Sequence, residues 1–186
     1  MTAPLLPGQV IAETARLRLR VMSDRDDADA ALMLELLNDP AFIRHIADRG
    51  VRTLEQAREY LRNGALRSYA GHGFGMYAIQ RKDTDALIGN CGLVSREGLD
   101  GPDLGYALLP AHAGQGFACE AAQAVIADAS TRLGITCLRA IVNPDNVASI
   151  GLLQKLGFEF DRMIVLPPIA HALDLFHLHL TTEAAA

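Results

Sequence analysis

The sequence predicts a single mixed α/β domain with a central sheet, and three observations lead to this fold class. The length of 186 residues fits one domain of ordinary size that buries a substantial core. Half of the residues are hydrophobic and tryptophan is absent, so that core is expected to be aliphatic. Segments with helical periodicity alternate with segments of strand periodicity along the whole chain.

Charge and cysteine content exclude several classes of protein. Lys and Arg number 17 against 22 Asp and Glu, a net charge of −5, which argues against nucleic acid as a partner. The apolar runs are too short for a membrane span, and Pro4 and Pro7 lie where a signal peptide would be apolar. The three cysteines, Cys91, Cys119 and Cys137, are widely spaced and form no C-x-x-C motif, which argues against a disulfide framework and against a zinc site. We therefore expect a soluble protein in the reducing cytoplasm.

The first part of the chain predicts one strand and two helices. Residues 1–15 are expected to be a loose lead-in, and Arg16–Val21 alternates basic and apolar side chains as a half-buried strand does. Ser23 is the expected cap of a helix that ends near residues 38–40. A shorter helix is predicted over Ala41–Ile46.

A capping box and a change of period mark the middle of the chain. Thr53 and Gln56 have the spacing of a capping box, which predicts a further helix. From residue 71 onward the period becomes that of strands. Phe74–Gln80 and Leu87–Ser95 are expected to form a hairpin joined by the turn Lys82–Asp85.

The second half alternates strands and helices up to a short tail, residues 181–186. Pro110 and Gly134 supply the expected ends of a strand and of a long helix. The predicted elements are the strand Asp103–Leu109, the helix Phe117–Leu133, the strand Cys137–Val142, the helix Asn146–Leu156, and the strands Phe158–Val165 and Ala172–Leu180.

A glycine-bearing turn before the long helix is the densest chemical signal. Gly114 and Gly116 precede the helix start, where free backbone N–H groups and the helix dipole favour a phosphate. Ala118 is small enough to let such a group approach the backbone. The turn lacks the Lys of a P-loop and the third Gly of a Rossmann fingerprint. A plain tight turn is the alternative.

A second signal lies at the start of the next helix. Asn143 and Asn146 offer amide donors and acceptors to a ligand, and Ser149 follows one turn later. Local capping explains the same residues, since Asn146 is a good N-cap and Ser149 would be the third helical residue.

Together the two segments resemble the coenzyme-A site of the GNAT acetyltransferases, in the branch related to the RimJ/RimL ribosomal-protein N-acetyltransferases. The resemblance covers roughly residues 17–180. The first position of the turn is Ala113, where the family usually has Gln, Arg or Trp. The matching segments are Gly105-Tyr106-Ala-Leu108, Ala113-Gly-Gln-Gly116-Phe-Ala118, Ala118-Cys-Glu120-Ala121, Asn143, Asn146, Ser149 and Lys155-Leu-Gly157-Phe158.

The resemblance implies a GNAT-like domain over residues 16–180, with a mixed, mostly antiparallel twisted sheet flanked by helices. It implies an enzyme that transfers acetyl from acetyl-CoA to a primary amine, either a protein N-terminus or a small molecule. A non-catalytic acyl-CoA sensor on the same fold is the alternative. The implied coenzyme-binding residues are Leu108, Gly114, Gln115, Gly116, Phe117, Ala118, Asn143 and Asn146.

The resemblance also implies three catalytic roles. The backbone of Leu108 would stabilise the oxyanion, and Ser149 would protonate the departing thiolate. Asp103 opens its strand where related enzymes often carry a Glu base, and the alternative is a loop-end carboxylate that faces solvent.

Position alone suggests where the acceptor amine docks. Phe42, Arg44, His45 and Arg49 are the candidates, because in this fold the acceptor lies between the early helices and the late strands. The oligomeric state stays open, and a homodimer is possible.

No metal site is predicted from the histidines near the end of the chain. His177 and His179 share one face of a predicted strand, but the alternation with apolar residues explains their spacing and no third ligand accompanies them.

Overall fold

The computed structural model describes residues 4–167 and 169–180, and these form a mixed sheet of eight strands flanked by helices. The strand order is β1-β2-β3-β4-β5-β6-β8-β7, and β5 and β6 are the parallel pair among antiparallel neighbours. The strands are β1 (Val10–Glu13), β2 (Leu17–Arg20), β3 (Met76–Arg81), β4 (Leu87–Val94), β5 (Asp103–Leu108), β6 (Cys137–Val142), β7 (Glu159–Ile164) and β8 (Leu173–His179).

Six α-helices connect the strands within the described residues. A π-helical turn, Arg62–Leu66, joins α3 to α4, and a short 3-10 turn, Pro110–His112, follows β5. No helix in the described part of the chain is long and apolar enough to cross a membrane. The helices are α1 (Asp27–Leu37), α2 (Pro40–His45), α3 (Leu54–Leu61), α4 (Arg67–His72), α5 (Phe117–Thr131) and α6 (Val147–Lys155).

The middle strands of the sheet are buried on both faces, and β3 shows how the pleat of the sheet divides the core. Tyr77 and Ile79 belong to the apolar cluster that contains the inner face of α5. Ala78, between them in sequence, belongs to the cluster built by α1 and α3. Because alternate residues of a strand point to opposite faces, α5 covers one face and α1 and α3 cover the other.

The predicted fold class is confirmed, and the lead-in is where the structure first departs from expectation. Within residues 1–15, predicted as a loose lead-in, strand β1 pairs with β2 in an antiparallel register. Its residues carry no alternating pattern, because an edge strand is held by backbone hydrogen bonds rather than by a buried face. The predicted tail, residues 181–186, lies outside the described residues.

The cap of α1 also differs from the prediction. Ser23 was the expected cap, but the side chain of Asp26 accepts the hydrogen bond from Ala28 N–H. Ser23 instead lies in the preceding turn, where its N–H donates to Asp29 at 2.8 Å and its hydroxyl accepts from Arg25 N–H at 3.1 Å. The hydrogen bond to Asp29 therefore keeps Ser23 in the turn that precedes α1.

The predicted capping box is confirmed, and the helix after it is interrupted. Thr53 accepts from Gln56 N–H while the Gln56 side chain accepts from Thr53 N–H. After α3 the chain widens into the π-helical turn and then continues as α4, which ends at Gly73 with a φ of +71°. Such a turn redirects side chains within a continuous helical segment.

Strands β5 and β6 separate soon after they meet, and this positions the site. Asp103 and Arg139 are their one registered pair among the described residues. Beyond that pair β5 stays bonded to β4 alone, up to Leu108. The divergence opens the sheet between its two parallel strands.

Candidate active site

A cavity of about 570 Å³ fills the gap between β5 and β6. Leu109 N–H donates to Ile88 O of β4 at 2.8 Å. Because successive N–H groups of a strand point to opposite sides, Leu108 N–H points away from β4 and toward the gap. Leu108 lines this cavity, so its backbone provides a donor to a ligand there.

The glycine turn forms another wall of the same cavity. Gly114 and Gly116 have φ of +71° and +81°, a conformation that side chains rarely adopt. Gly116 is the N-cap of α5, and no side chain caps that helix. Ala113, Gly114, Gly116 and Ala118 all line the cavity. The first N–H groups of α5 are therefore available to an anion.

The other two predicted residues of the turn direct their side chains elsewhere. Gln115 Nε2 donates to Ala111 O at 2.9 Å, and Phe117 is buried in the core. The Arg16 guanidinium lies 4.4 Å from the centre of the Phe117 ring. Neither Gln115 nor Phe117 lines the cavity, so only their backbone atoms remain for a ligand.

Arg16 links the glycine turn to the first helical turn of α5 through hydrogen bonds. Its Nη1 donates to Gln115 O at 3.0 Å, and its Nε donates to Glu120 Oε2 at 2.6 Å. Glu120 Oε1 accepts from Thr14 Oγ1 at 2.6 Å and from Arg16 N–H at 2.9 Å. Burial raises the pKa of Glu120, but these hydrogen bonds outweigh burial and the pKa is lowered overall. The carboxylate therefore stays ionised and fixes the turn.

Asn143, Asn146 and Ser149 line the same cavity as the glycine turn. Asn146 Oδ1 accepts from Ser149 N–H at 3.1 Å, which confirms the local capping interpretation. That bond uses the backbone of Ser149, so the Ser149 hydroxyl remains free for other partners.

Tyr106 is the partner of that hydroxyl. Its phenol oxygen lies 2.8 Å from Ser149 Oγ and 3.3 Å from Ser149 O. Burial raises the pKa of Tyr106 to about 12, so the phenol keeps its proton at neutral pH. In the sequence, Tyr106 stands out only as part of the motif Gly105-Tyr106-Ala-Leu108.

Asp103 is buried, and the interpretation that it faces solvent is wrong. It is 1% exposed and lines the cavity. Its Oδ2 accepts from Arg96 Nε at 2.5 Å, and its Oδ1 accepts from Ile141 N–H at 3.1 Å. Burial raises its pKa, and Arg96 and the Ile141 bond offset part of that rise. The carboxylate links β5 to β6 where the strands begin to separate.

The charges around the cavity fit an anionic ligand. Arg49, Arg96 and Lys155 line it, against Asp103 as the one carboxylate among its described lining residues. The whole chain carries a net charge of −5, so this excess of cations is local. Cationic walls together with an uncapped helix N-terminus suit phosphate groups.

A smaller cavity of about 390 Å³ lies on the side of the sheet covered by α1, α2 and the π-helical turn. Arg49, Arg96 and Tyr106 line both cavities, so the two sites adjoin. Of the other acceptor candidates, Phe42 lines the smaller cavity and His45 the larger. Arg44 lines neither; its side chain is 70% exposed and lies 3.6 Å from Asp145.

No cluster of three or more potential metal ligands occurs in residues 4–167 and 169–180. The rings of His177 and His179 are 5.1 Å apart and pack edge to face.

The sequence is similar to those of known acetyltransferases. Residues 16–159 match the sequence model of the acetyltransferase (GNAT) domain. The chain is 32% identical over 153 residues to the uncharacterized protein YkkB of Bacillus subtilis, covering 81% of this chain and 86% of that protein. It is 32% identical over 152 residues to p20 of Bacillus licheniformis, described as an uncharacterized N-acetyltransferase, covering 81% of this chain and 83% of that one.

Solved structures agree in fold. A GNAT-family acetyltransferase from Bordetella pertussis superposes with a TM-score of 0.73 at 25% identity, over 91% of this chain and 98% of that one. RimL, a ribosomal L7/L12 α-N-protein acetyltransferase solved with coenzyme A, superposes with a TM-score of 0.78 at 19% identity, over 94% of this chain and 100% of that one.

Proposed function

This chain belongs to the GNAT acetyltransferase family, and from that membership we propose that it transfers the acetyl group of acetyl-CoA to a primary amine by direct attack. The observation that carries the proposal is the convergence on one cavity of the uncapped start of α5 and the free edge of β5. The start of α5 supplies N–H donors for phosphates, and the free edge of β5 supplies N–H donors along the extended arm that carries the thioester.

The coenzyme would bind through the residues that line this cavity and through the backbone of the turn. Gly114, Gly116 and Ala118 leave room for the phosphates beside the N–H groups of α5. Asn143 and Asn146, which line the same cavity, would bond the amides of the thioester arm. Gln115 and Phe117 would contribute only backbone atoms.

The acceptor would enter from the smaller cavity and meet the thioester where the two cavities adjoin. An amine attacks only when neutral, so its proton must be removed. We propose Asp103 as the group that receives it. Burial raises the pKa of this carboxyl, which makes its ionised form a stronger base.

The free N–H of Leu108 would stabilise the oxyanion that forms on the acetyl carbonyl. Ser149 would then give its proton to the departing thiolate, and the proton of Tyr106 would follow toward Ser149 through their 2.8 Å contact. Both hydroxyl groups would then act on one leaving group.

We further propose that the enzyme is RimJ/RimL-like, cytoplasmic, and acts on a protein N-terminus or a small-molecule amine. The motif around Gly105 and Tyr106 and the fold shared with RimL support the branch. The free thiols of Cys91, Cys119 and Cys137 support a reducing compartment.

The test combines calorimetric titration with acetyl-CoA and a thiol-release assay on a panel of amines, with mass spectrometry of the products. We expect acetyl-CoA to bind and at least one amine to be acetylated while free thiol appears in equal amount. Binding without acetylation of any amine would favour the acyl-CoA sensor.

A further inference from the structure

The smaller cavity combines an apolar wall with a buried polar side chain. Met22, Met33, Leu37 and Phe42 form part of this wall. Asn90 on β4 is 5% exposed and lines the cavity. Among the described residues its side-chain amide has one hydrogen-bond partner, the Met33 sulfur at 3.6 Å. A thioether is a weak acceptor, so this buried amide has capacity left for a polar ligand atom.

The charged residues around this cavity are all basic. Arg49, Arg67 and Arg96 line it, and its described lining contains no Asp or Glu. Arg96 is paired with Asp103, whereas Arg49 and Arg67 are exposed and form no ion pair with any described carboxylate. Such a site disfavours polycationic acceptors, which arginines repel, and favours acceptors that carry an anionic group.

Arg49 would hold the anionic group of the acceptor close to the amine that reacts. It lines both cavities and therefore lies where the amine must meet the thioester. A carboxylate held by Arg49 and an amine at the thioester must be separated by only a short stretch of covalent bonds. In an α-amino acid the two groups share one carbon atom.

We propose that the acceptor is a free α-amino acid with a medium-sized side chain that ends in a neutral polar group. Arg49 binds its carboxylate, the smaller cavity takes its side chain, and the Asn90 amide bonds the polar end. The volume of about 390 Å³ is at the small end of ligand sites, as this occupant requires. This inference rests on the proposed acetyl transfer and specifies its substrate.

Matched acceptors test the carboxylate. L-Glutamine and L-glutaminamide share a side chain and an α-amine, and only the first carries the carboxylate. We expect kcat/KM for glutamine to exceed that for glutaminamide by about 10- to 100-fold, the range of one charge-assisted hydrogen bond. The amide has the less basic amine, so a shortage of neutral amine cannot explain a lower rate with it. Spermidine is expected to be a poor acceptor.

The variant Arg49→Gln tests which residue binds that carboxylate. We expect it to lower the preference for glutamine, the ratio of the two kcat/KM values, about 10- to 100-fold, because any loss of coenzyme binding would affect both acceptors equally. Arg52→Gln is the matched control, because Arg52 lies in the same segment, pairs with Asp48 and lines neither cavity. An equal loss on both acceptors with Arg49→Gln would overturn the assignment.

Asn90→Leu tests the polar end of the side chain. We expect the wild type to prefer L-glutamine over L-leucine, and the variant to lose about tenfold or more of that preference, because leucine leaves the amide of the wild type unpaired. Calorimetric titration of glutamine into the coenzyme-A complex gives the same comparison without turnover.

The outcomes separate the two proposals. Acetylation of peptide N-termini or of spermidine in preference to glutamine would overturn the amino-acid assignment and leave acetyl transfer standing. Failure of every amine to be acetylated would overturn acetyl transfer, and this inference with it.

Discussion

The phenol oxygen of Tyr106 on β5 lies 2.8 Å from Oγ of Ser149 on α6. The two residues are 43 positions apart in sequence, and both line the larger cavity. Ser149 is thus held from two sides, through its backbone N–H by Asn146 and through its hydroxyl by Tyr106. The helix cap and the proton donor use different atoms of one residue, so mutation can separate them.

Replacing Ser149 with Ala should separate catalysis from stability. Alanine keeps the backbone N–H that Asn146 caps, so we expect the melting temperature and the affinity for acetyl-CoA to change little. Loss of the proton donor should lower kcat by about 10²–10⁴-fold. An unchanged kcat, with chemistry shown to be rate-limiting, would rule out the acid role.

Tyr106→Phe should have a smaller effect that depends on Ser149. We expect kcat to fall by roughly 2- to 10-fold, since one neutral hydrogen bond is lost. In the Ser149→Ala background the same change should have almost no further effect on kcat, because the Ser149 hydroxyl through which Tyr106 would act is already absent. Additive losses in the double variant would show that Tyr106 acts independently of Ser149.

Gly116→Asp should weaken coenzyme binding. The Cβ would lie 3.4 Å from Arg16 Nη2 at a φ of +81°, and the new carboxylate would stand among the phosphate donors. We expect the affinity for acetyl-CoA to fall about tenfold or more, as measured by calorimetry. Gly134→Asp is the control, because Gly134 also has a positive φ and lies beyond the far end of α5. Equal losses in both variants would indicate general destabilisation.

The variant Asp103→Asn should show whether Asp103 acts as a base or only links strands β5 and β6. Burial raises the pKa of this carboxyl, so a base role predicts that kcat/KM rises with pH through a value above 3.8. The variant should lose that limb of the profile and about 10²–10⁴-fold in rate. If Asp103 only joins β5 to β6, the melting temperature will fall while the shape of the pH profile is retained.

Glu120 should contribute stability that is lost in acid. Its folded pKa lies below the ordinary 4.5, so the contribution is present in full above pH 4.5 and disappears as the pH falls through the folded value. Glu120→Gln should lower the melting temperature at pH 7 and flatten its decline toward pH 3. The exposed Glu97→Gln serves as control. An equally steep acid decline in both variants would contradict the assignment.

The sequence by itself determined the parts of this protein that local rules govern. The capping box at Thr53, the glycine turn at Gly114 and Gly116, and the cap at Asn146 were predicted because each depends on neighbours within a few residues. The strand β3 was predicted, and the apolar run over residues 76–79 is typical of a strand that is buried on both faces. The fold class followed from the order of such elements.

Only the tertiary structure decided how those elements meet. Arg16 and Glu120 are 104 positions apart, and no pattern in either segment shows that one fixes the other. The burial of Asp103 depends on Arg96 and on the backbone of β6, not on its own neighbours. Tertiary contacts also determine that β1 pairs with β2 and that Asn90 lines the smaller cavity. Local sequence determines which conformation a segment prefers, whereas burial, ion pairing and the shape of a cavity depend on residues that only the folded chain brings together.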